Sequence, residues 1–180
     1  MDITTITSVV TPEMLETASD MLRLAIMSSD KPPKVIASDI GYSVDMIYSA
    51  TKGIRSIPTQ ARQKLSGVNV IAAAAIALEA TGFTRLFGYH KVDRHIQSMI
   101  LRHRTMDRAT DKLLDELPVM LLDKECSANL TEGEQKRLKY ITCRLIDLSS
   151  SIMNLVMELE VKYKLGITPY LQGKEKSPAA

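Results

Sequence analysis

Seven aliphatic residues near the carboxyl end, Leu138, Ile141, Leu145, Leu148, Ile152, Leu155 and Leu159, follow one another at intervals of 3, 4, 3, 4, 3 and 4 residues. Only an α-helix puts such positions on one side, and an uninterrupted a/d seam of this length must be covered by another helix. Thr131 and Glu134 stand just before it at the spacing of a capping box, which predicts the helix start. Ile146, Met153, Val156 and Met157 widen the apolar face beyond two positions per heptad, so contacts on more than one side are expected. Two covers are open. One is the periodic segment from Asp93 through Ile96, Ile100, His103, Met106, Thr110, Leu113, Leu117 and Met120, with Pro118 kinking or ending it. The other is the same helix of a second copy, in a dimer or a tetramer.

Composition agrees with helices throughout. The chain is 45% hydrophobic but only 4% aromatic, with no Trp, a balance that suits helices and disfavours a sandwich or barrel. The fold expected is therefore all-α: an amino-terminal helical bundle followed by long helices in a hairpin or coiled-coil oligomerisation region. No apolar run reaches membrane-spanning length and the amino terminus has no signal-peptide pattern, which predicts a cytoplasmic protein without a membrane partner. Cys126 and Cys143 stand apart, without metal-ligand spacing, and are expected as buried free thiols.

Residues 33–58 carry the second strong pattern. Ala37 is small where two helices cross, Gly41 suits a tight turn, and Ser43 can cap a second helix with Asp45 in its first turn. Ile36, Ile40, Ile47 and Ala50 supply a buried side; Gly53 stops the helix and Pro58-Thr59, with Thr59 as cap, start another. Ala37, Gly41, Ser43, Ile47, Gly53, Arg55 and Pro58 together resemble the helix-turn-helix of the lambda repressor and Cro class, the XRE family. The chain departs from that pattern at Thr51, where glutamate is usual, and at Val44 and Asp45, where amide side chains are usual.

The resemblance implies a module that reads double-stranded DNA, its second helix in the major groove. Carried over by position, Val44, Asp45, Tyr48 and Ser49 face bases, while Ser43, Lys52, Arg55 and Arg62 hold phosphates. Asp45 has two readings: acceptor for a cytosine amino group, or partner of the helix dipole. Charge is consistent with such a partner. Residues 31–66 carry six bases against two acids and residues 85–112 seven against three, whereas residues 1–30 are acidic and residues 113–180 nearly neutral. The overall layout and the ANLTEGEQKRL helix start also resemble phage regulators of the CII type.

The rest of the chain is read around these two patterns. Thr11-Pro12-Glu13 predicts the start of a first helix running through Met14, Ala18, Met21, Leu22, Ala25 and Ile26. Residues 1–66 form the expected DNA-binding domain, residues 67–165 a helical core and oligomerisation region, and residues 166–180 a flexible tail. VNVIAAAAIALEATG predicts a buried helix whose alanines admit close neighbours, and Phe83 and Phe87 are expected to pin the two halves together. His90, His95 and His103 lack carboxylate or thiol companions at ligand spacing, and His103 is expected as a hydrogen-bonded core residue. Phosphate loop, dinucleotide fingerprint and nucleophile elbow are all missing. The expectation is a non-enzymatic, cofactor-free, oligomeric transcriptional regulator of phage or prophage type, the alternative being a helical interaction factor such as an antirepressor or adaptor.

Overall fold

The computed structural model describes residues 17–89 and 95–176. Among them every regular element is helical: α1 Ala18–Ser28, α2 Pro33–Ile40, α3 Val44–Thr51, α4 Thr59–Ser66, α5 Val70–Thr81, α6 Thr84–Phe87, α7 Ile96–Leu114, α8 Leu117–Met120, α9 Glu132–Tyr163 and α10 Thr168–Leu171. A short 3-10 turn at Ser127–Asn129 precedes α9. The helix start expected at Thr11 lies outside the described residues, as does His90. The described α1 is capped by Thr17, whose hydroxyl accepts from the Asp20 amide at 3.1 Å.

Residues 17–89 and 157–176 belong to one compact unit, and residues 95–156 to another. In the first unit α5 packs on α1 and α4. Ala72, Ala74 and Ala75 are buried, and their short side chains let α5 come close to α1, whose Met21, Leu22 and Ala25 are also buried. Asn69 fastens the start of α5. Its Oδ1 accepts from the Ala72 amide at 2.9 Å and its Nδ2 donates to the Ala25 carbonyl at 2.8 Å. The boundary expected at residues 66/67 therefore falls inside this unit, because the alanine-rich helix shares the core of α1–α4.

α2 and α3 are joined by three residues. Gly41 has φ +80° and ends α2, with the Tyr42 amide donating to the Ala37 carbonyl at 2.9 Å. A Cβ at Gly41 would meet nothing within 4 Å, so the left-handed backbone and not crowding is what favours glycine there. Ser43 Oγ accepts from the Met46 amide and starts α3. At the other end Gly53, φ +71°, turns the chain so that the Ile54 amide donates to the Ser49 carbonyl at 2.9 Å. Ile36, Ala37, Ile40, Ile47 and Ala50 are all buried. At α4, Pro58 occupies the cap position and Thr59, expected as the cap, is instead the first helical residue, so this helix start has no side-chain cap.

In the second unit the capping box forms reciprocally: Thr131 Oγ1 accepts from the Glu134 amide at 3.3 Å and Glu134 Oε2 accepts from the Thr131 amide at 2.9 Å. Lys124 also bonds the Glu134 carboxylate, and Arg137 grips Glu116 through Nε and Nη2 at 2.8 and 2.6 Å while lying over the Tyr140 ring. The Lys124 bond, then the Thr131 bonds, hold the Glu134 carboxyl down at about 2. A carboxyl lowered on folding adds stability above its unfolded value and surrenders it as pH falls toward 2. Acid unfolding followed by circular dichroism is expected to begin at a higher pH in the parent than its neutral-pH stability implies, and Glu134→Gln should flatten that acid limb. An unchanged limb in the variant would rule out this anchoring role.

Further expectations change here. The tail is not featureless: α10 forms between Gly166 and Gly173, both at positive φ, with Pro169 in its first turn. Cys126 and Cys143 are exposed, not buried; Cys126 Sγ donates to Asn129 Oδ1 at the 3-10 turn and Cys143 sits on an outward side of α9. Phe83 is 61% exposed, since it precedes the short α6 at a position that faces solvent, so it pins nothing. His103 is half-buried, but its Nδ1 is sealed without a hydrogen-bond partner.

Candidate nucleic-acid interface

α3 is anchored by one side and open on the other. Ile47 is fully buried and Ala50 nearly so, whereas Asp45 and Tyr48 are exposed and Val44 and Ser49 half-buried. With 100° per residue, positions 44, 45, 48 and 49 span one side of two turns, so the four residues expected to face bases share one surface. Asp45 lies in the first turn, where it also offsets the positive end of the helix dipole. Thr51 turns inward, and its Oγ1 donates to the Tyr48 carbonyl at 3.0 Å.

The phosphate set divides. Ser43 is exposed and its oxygen caps α3, which leaves its hydroxyl hydrogen to donate elsewhere. Lys52 and Arg55 are exposed and have no carboxylate partner among the described residues. Arg62 is committed elsewhere. Its Nε donates to the Ile57 carbonyl at 3.2 Å and its guanidinium lies 4.0 Å from Glu79, whose carboxylate accepts from the Ile57 amide. Arg62 thus ties the loop after α3 to α4 and α5, which draws part of its guanidinium away from the phosphate role expected for it.

Lys34 was not singled out from the sequence beyond its share of the positive charge. It is exposed in the first turn of α2 without a carboxylate partner among the described residues, while nearby Lys31 is neutralised by Asp39 at 2.6 Å. Ile54 is also exposed, at 69%, between Gly53 and Arg55. Its only sequence signal was an aliphatic residue in a loop, outside any periodic series.

The seam of α9 is covered unevenly within one chain. Ile141 is fully buried, Leu138, Leu145, Leu148, Leu155 and Leu159 are half-buried, and Ile152 is 41% exposed. In the second half of the helix the most buried positions, Ser150, Asn154, Met157 and Glu158, lie on the opposite side from the seam. Three of these are polar: Asn154 Nδ2 donates to the Ser150 carbonyl at 2.8 Å, and Glu158 accepts from the Tyr89 hydroxyl. Heptad spacing gives no hint of this line, because polar residues leave no mark on an apolar pattern.

Among the described residues no group of three or more His, Cys, Asp or Glu side chains is placed to hold a metal ion, and no helix is long and apolar enough to cross a membrane. The chain matches no family model, no curated protein and no solved structure.

Proposed function

We propose that the chain is a sequence-specific DNA-binding transcriptional regulator of phage or prophage type, acting as an oligomer, with α2, the Gly41 turn and α3 as its helix-turn-helix. One observation carries the reading: α3 is clamped through Ile47 and Ala50 with Asp45 and Tyr48 exposed, and Lys34 of α2 and Lys52 and Arg55 after α3 are exposed cations without carboxylate partners among the described residues. Cations without carboxylate partners retain their full attraction for phosphate, and a helix fixed from behind can enter a major groove without rearranging. Asp45, Tyr48, Val44 and Ser49 then meet base edges, and Ser43, Lys52, Arg55 and Lys34 hold the backbone. A single module makes few contacts, and the half-exposed seam from Leu145 to Leu159 offers a second copy a place to dock, which doubles them.

Selection of bound fragments from a genomic library at fixed salt tests this. Recovered DNA is expected to share paired half-sites about 10 base pairs apart or a multiple of that spacing, bound at about 10⁻⁸ M or tighter. Recovery no better than background, or fragments without a common sequence, would sink the reading. The exposed side chains of Val35, Tyr48 and Ile54 favour one alternative, a protein-docking role for the same helices as in an antirepressor or adaptor. In that case the purified chain recovers no DNA at any salt concentration.

A further inference from the structure

Ile54 is 69% exposed although the turn that carries it is fixed. Gly53, which follows the C-cap Lys52, has φ +71°; its amide donates to the Ala50 carbonyl at 3.1 Å and the Ile54 amide to the Ser49 carbonyl at 2.9 Å, the bond pair of a Schellman ending. A Cβ at Gly53 would stand 3.3 Å from Ser19 Oγ, so the turn is seated closely on Ser19 of α1. An apolar residue in the place of Ile54 commonly folds back onto the last turn of its helix. Here it does not, because Ser49 offers little apolar surface and Tyr48 is itself 46% exposed. Lys52 and Arg55 stand on either side of it in the chain, exposed and without carboxylate partners among the described residues. The Ile54 Cα is about 3.8 Å from that of Arg55 and at most about 7 Å from that of Lys52. One fixed turn therefore presents an apolar side chain together with two unneutralised cations.

We propose that Ile54 is a sequence-independent DNA contact, packing on the deoxyribose of the strand whose phosphates Lys52 and Arg55 hold. The inference rests on the reading of α2 and α3 as a DNA-binding helix-turn-helix, and adds to it a contact that is neither charge nor base readout. Cations drawn to phosphates bring the side chain between them onto the same strand, and the apolar part of that strand is its sugar. Base edges are met by the N-terminal residues of the second helix in this docking mode, whereas Ile54 lies beyond the other end of α3. The turn is set before DNA arrives, so covering Ile54 removes apolar surface from water without the cost of ordering a loop. Every nucleotide carries the same sugar, and a C–H surface has no counterion to release. The contact therefore has a signature of its own: equal for all sequences and without effect on the salt dependence.

The test titrates the full chain, Ile54→Ala and Ile54→Leu against a selected duplex and a scrambled duplex of equal length, by fluorescence anisotropy over a salt series starting at about 50 mM, where sequence-independent binding is tight enough to read. Ile54→Ala is expected to weaken binding to both duplexes about tenfold, the loss of roughly two covered methylene-sized groups, with the slope of log affinity against log salt unchanged. Ile54→Leu keeps the volume and stays within about twofold of the parent. Because Ile54 is exposed, both variants unfold within about 2 °C of the parent, which separates a lost contact from a damaged fold. Unchanged affinity in Ile54→Ala overturns the proposal. So does a loss confined to the selected duplex, the mark of a base contact, or a loss with a shallower salt slope, the mark of displaced cations. A parent that binds neither duplex sinks the DNA reading and this contact with it, whereas DNA binding indifferent to Ile54→Ala sinks the contact alone.

Discussion

Lys52→Ala combined with Arg55→Ala is expected to weaken binding to a selected DNA fragment about a hundredfold, and to lower the slope of log affinity against log salt by about 2 per protomer. Each cation that neutralises a phosphate releases close to one counterion, so removing two contacts removes about two from the slope. Both side chains are exposed without carboxylate partners among the described residues, so their loss leaves the melting temperature within about 1–2 °C of the parent. This separation of binding from stability is what distinguishes phosphate contact from support of the fold. Arg62→Ala should behave in the opposite way, because its bonds go to Ile57 and Glu79. An unchanged salt slope in the double variant would remove Lys52 and Arg55 from the interface.

Ile47→Ala carries the other large effect. The side chain is fully buried at the centre of α3, with Ala50 and Thr51 flanking it, and deleting it removes buried methyl groups and leaves a cavity. Such truncations cost about 2–5 kcal/mol, which for a chain of this length lowers the midpoint of thermal unfolding by about 5–15 °C. DNA binding falls with it, since α3 loses its anchor to the bundle. Asp45→Asn, two residues away but exposed, should alter stability by less than about 1 kcal/mol through the helix dipole alone. Equal melting of Ile47→Ala and the parent would show that α3 is held by something other than its buried side.

How far each part of the chain was legible follows from the range of the interactions that decide it. Gly41, Ser43, Gly53, Thr131 and Glu134 were read correctly as helix ends because caps and left-handed turns are settled within four residues. The burial of Ile36, Ile40, Ile47 and Ala50 was readable from period alone. The internal contacts of Arg62 were not legible because its partner Glu79 is 17 positions away and no local pattern marks the pair. The exposure of Cys126, Cys143 and Phe83 was misread for a related reason: residue type expresses an average preference, whereas position on the surface is settled by neighbours.

The seam of α9 shows the same division within one helix. Its length, its start at the capping box and its aliphatic side follow from sequence alone, since period and cap are local properties of the chain. Which side is buried does not. Ser150, Asn154 and Glu158 are covered while Ile152 remains 41% exposed, because burial depends on where helices distant in sequence come to rest. A cavity beside α2 is likewise a product of tertiary structure: Asp30, Lys64 and Glu160 are far apart in the chain and line one space only after folding. Sequence alone determined helix type, the ends marked by Gly41, Ser43, Gly53 and Thr131, and the clamped side of α3, since each is set by torsion preference and spacing over a few residues. Tertiary structure alone decided which cations stay unpaired and which half of the seam is open, since those depend on charges and surfaces brought together across the chain.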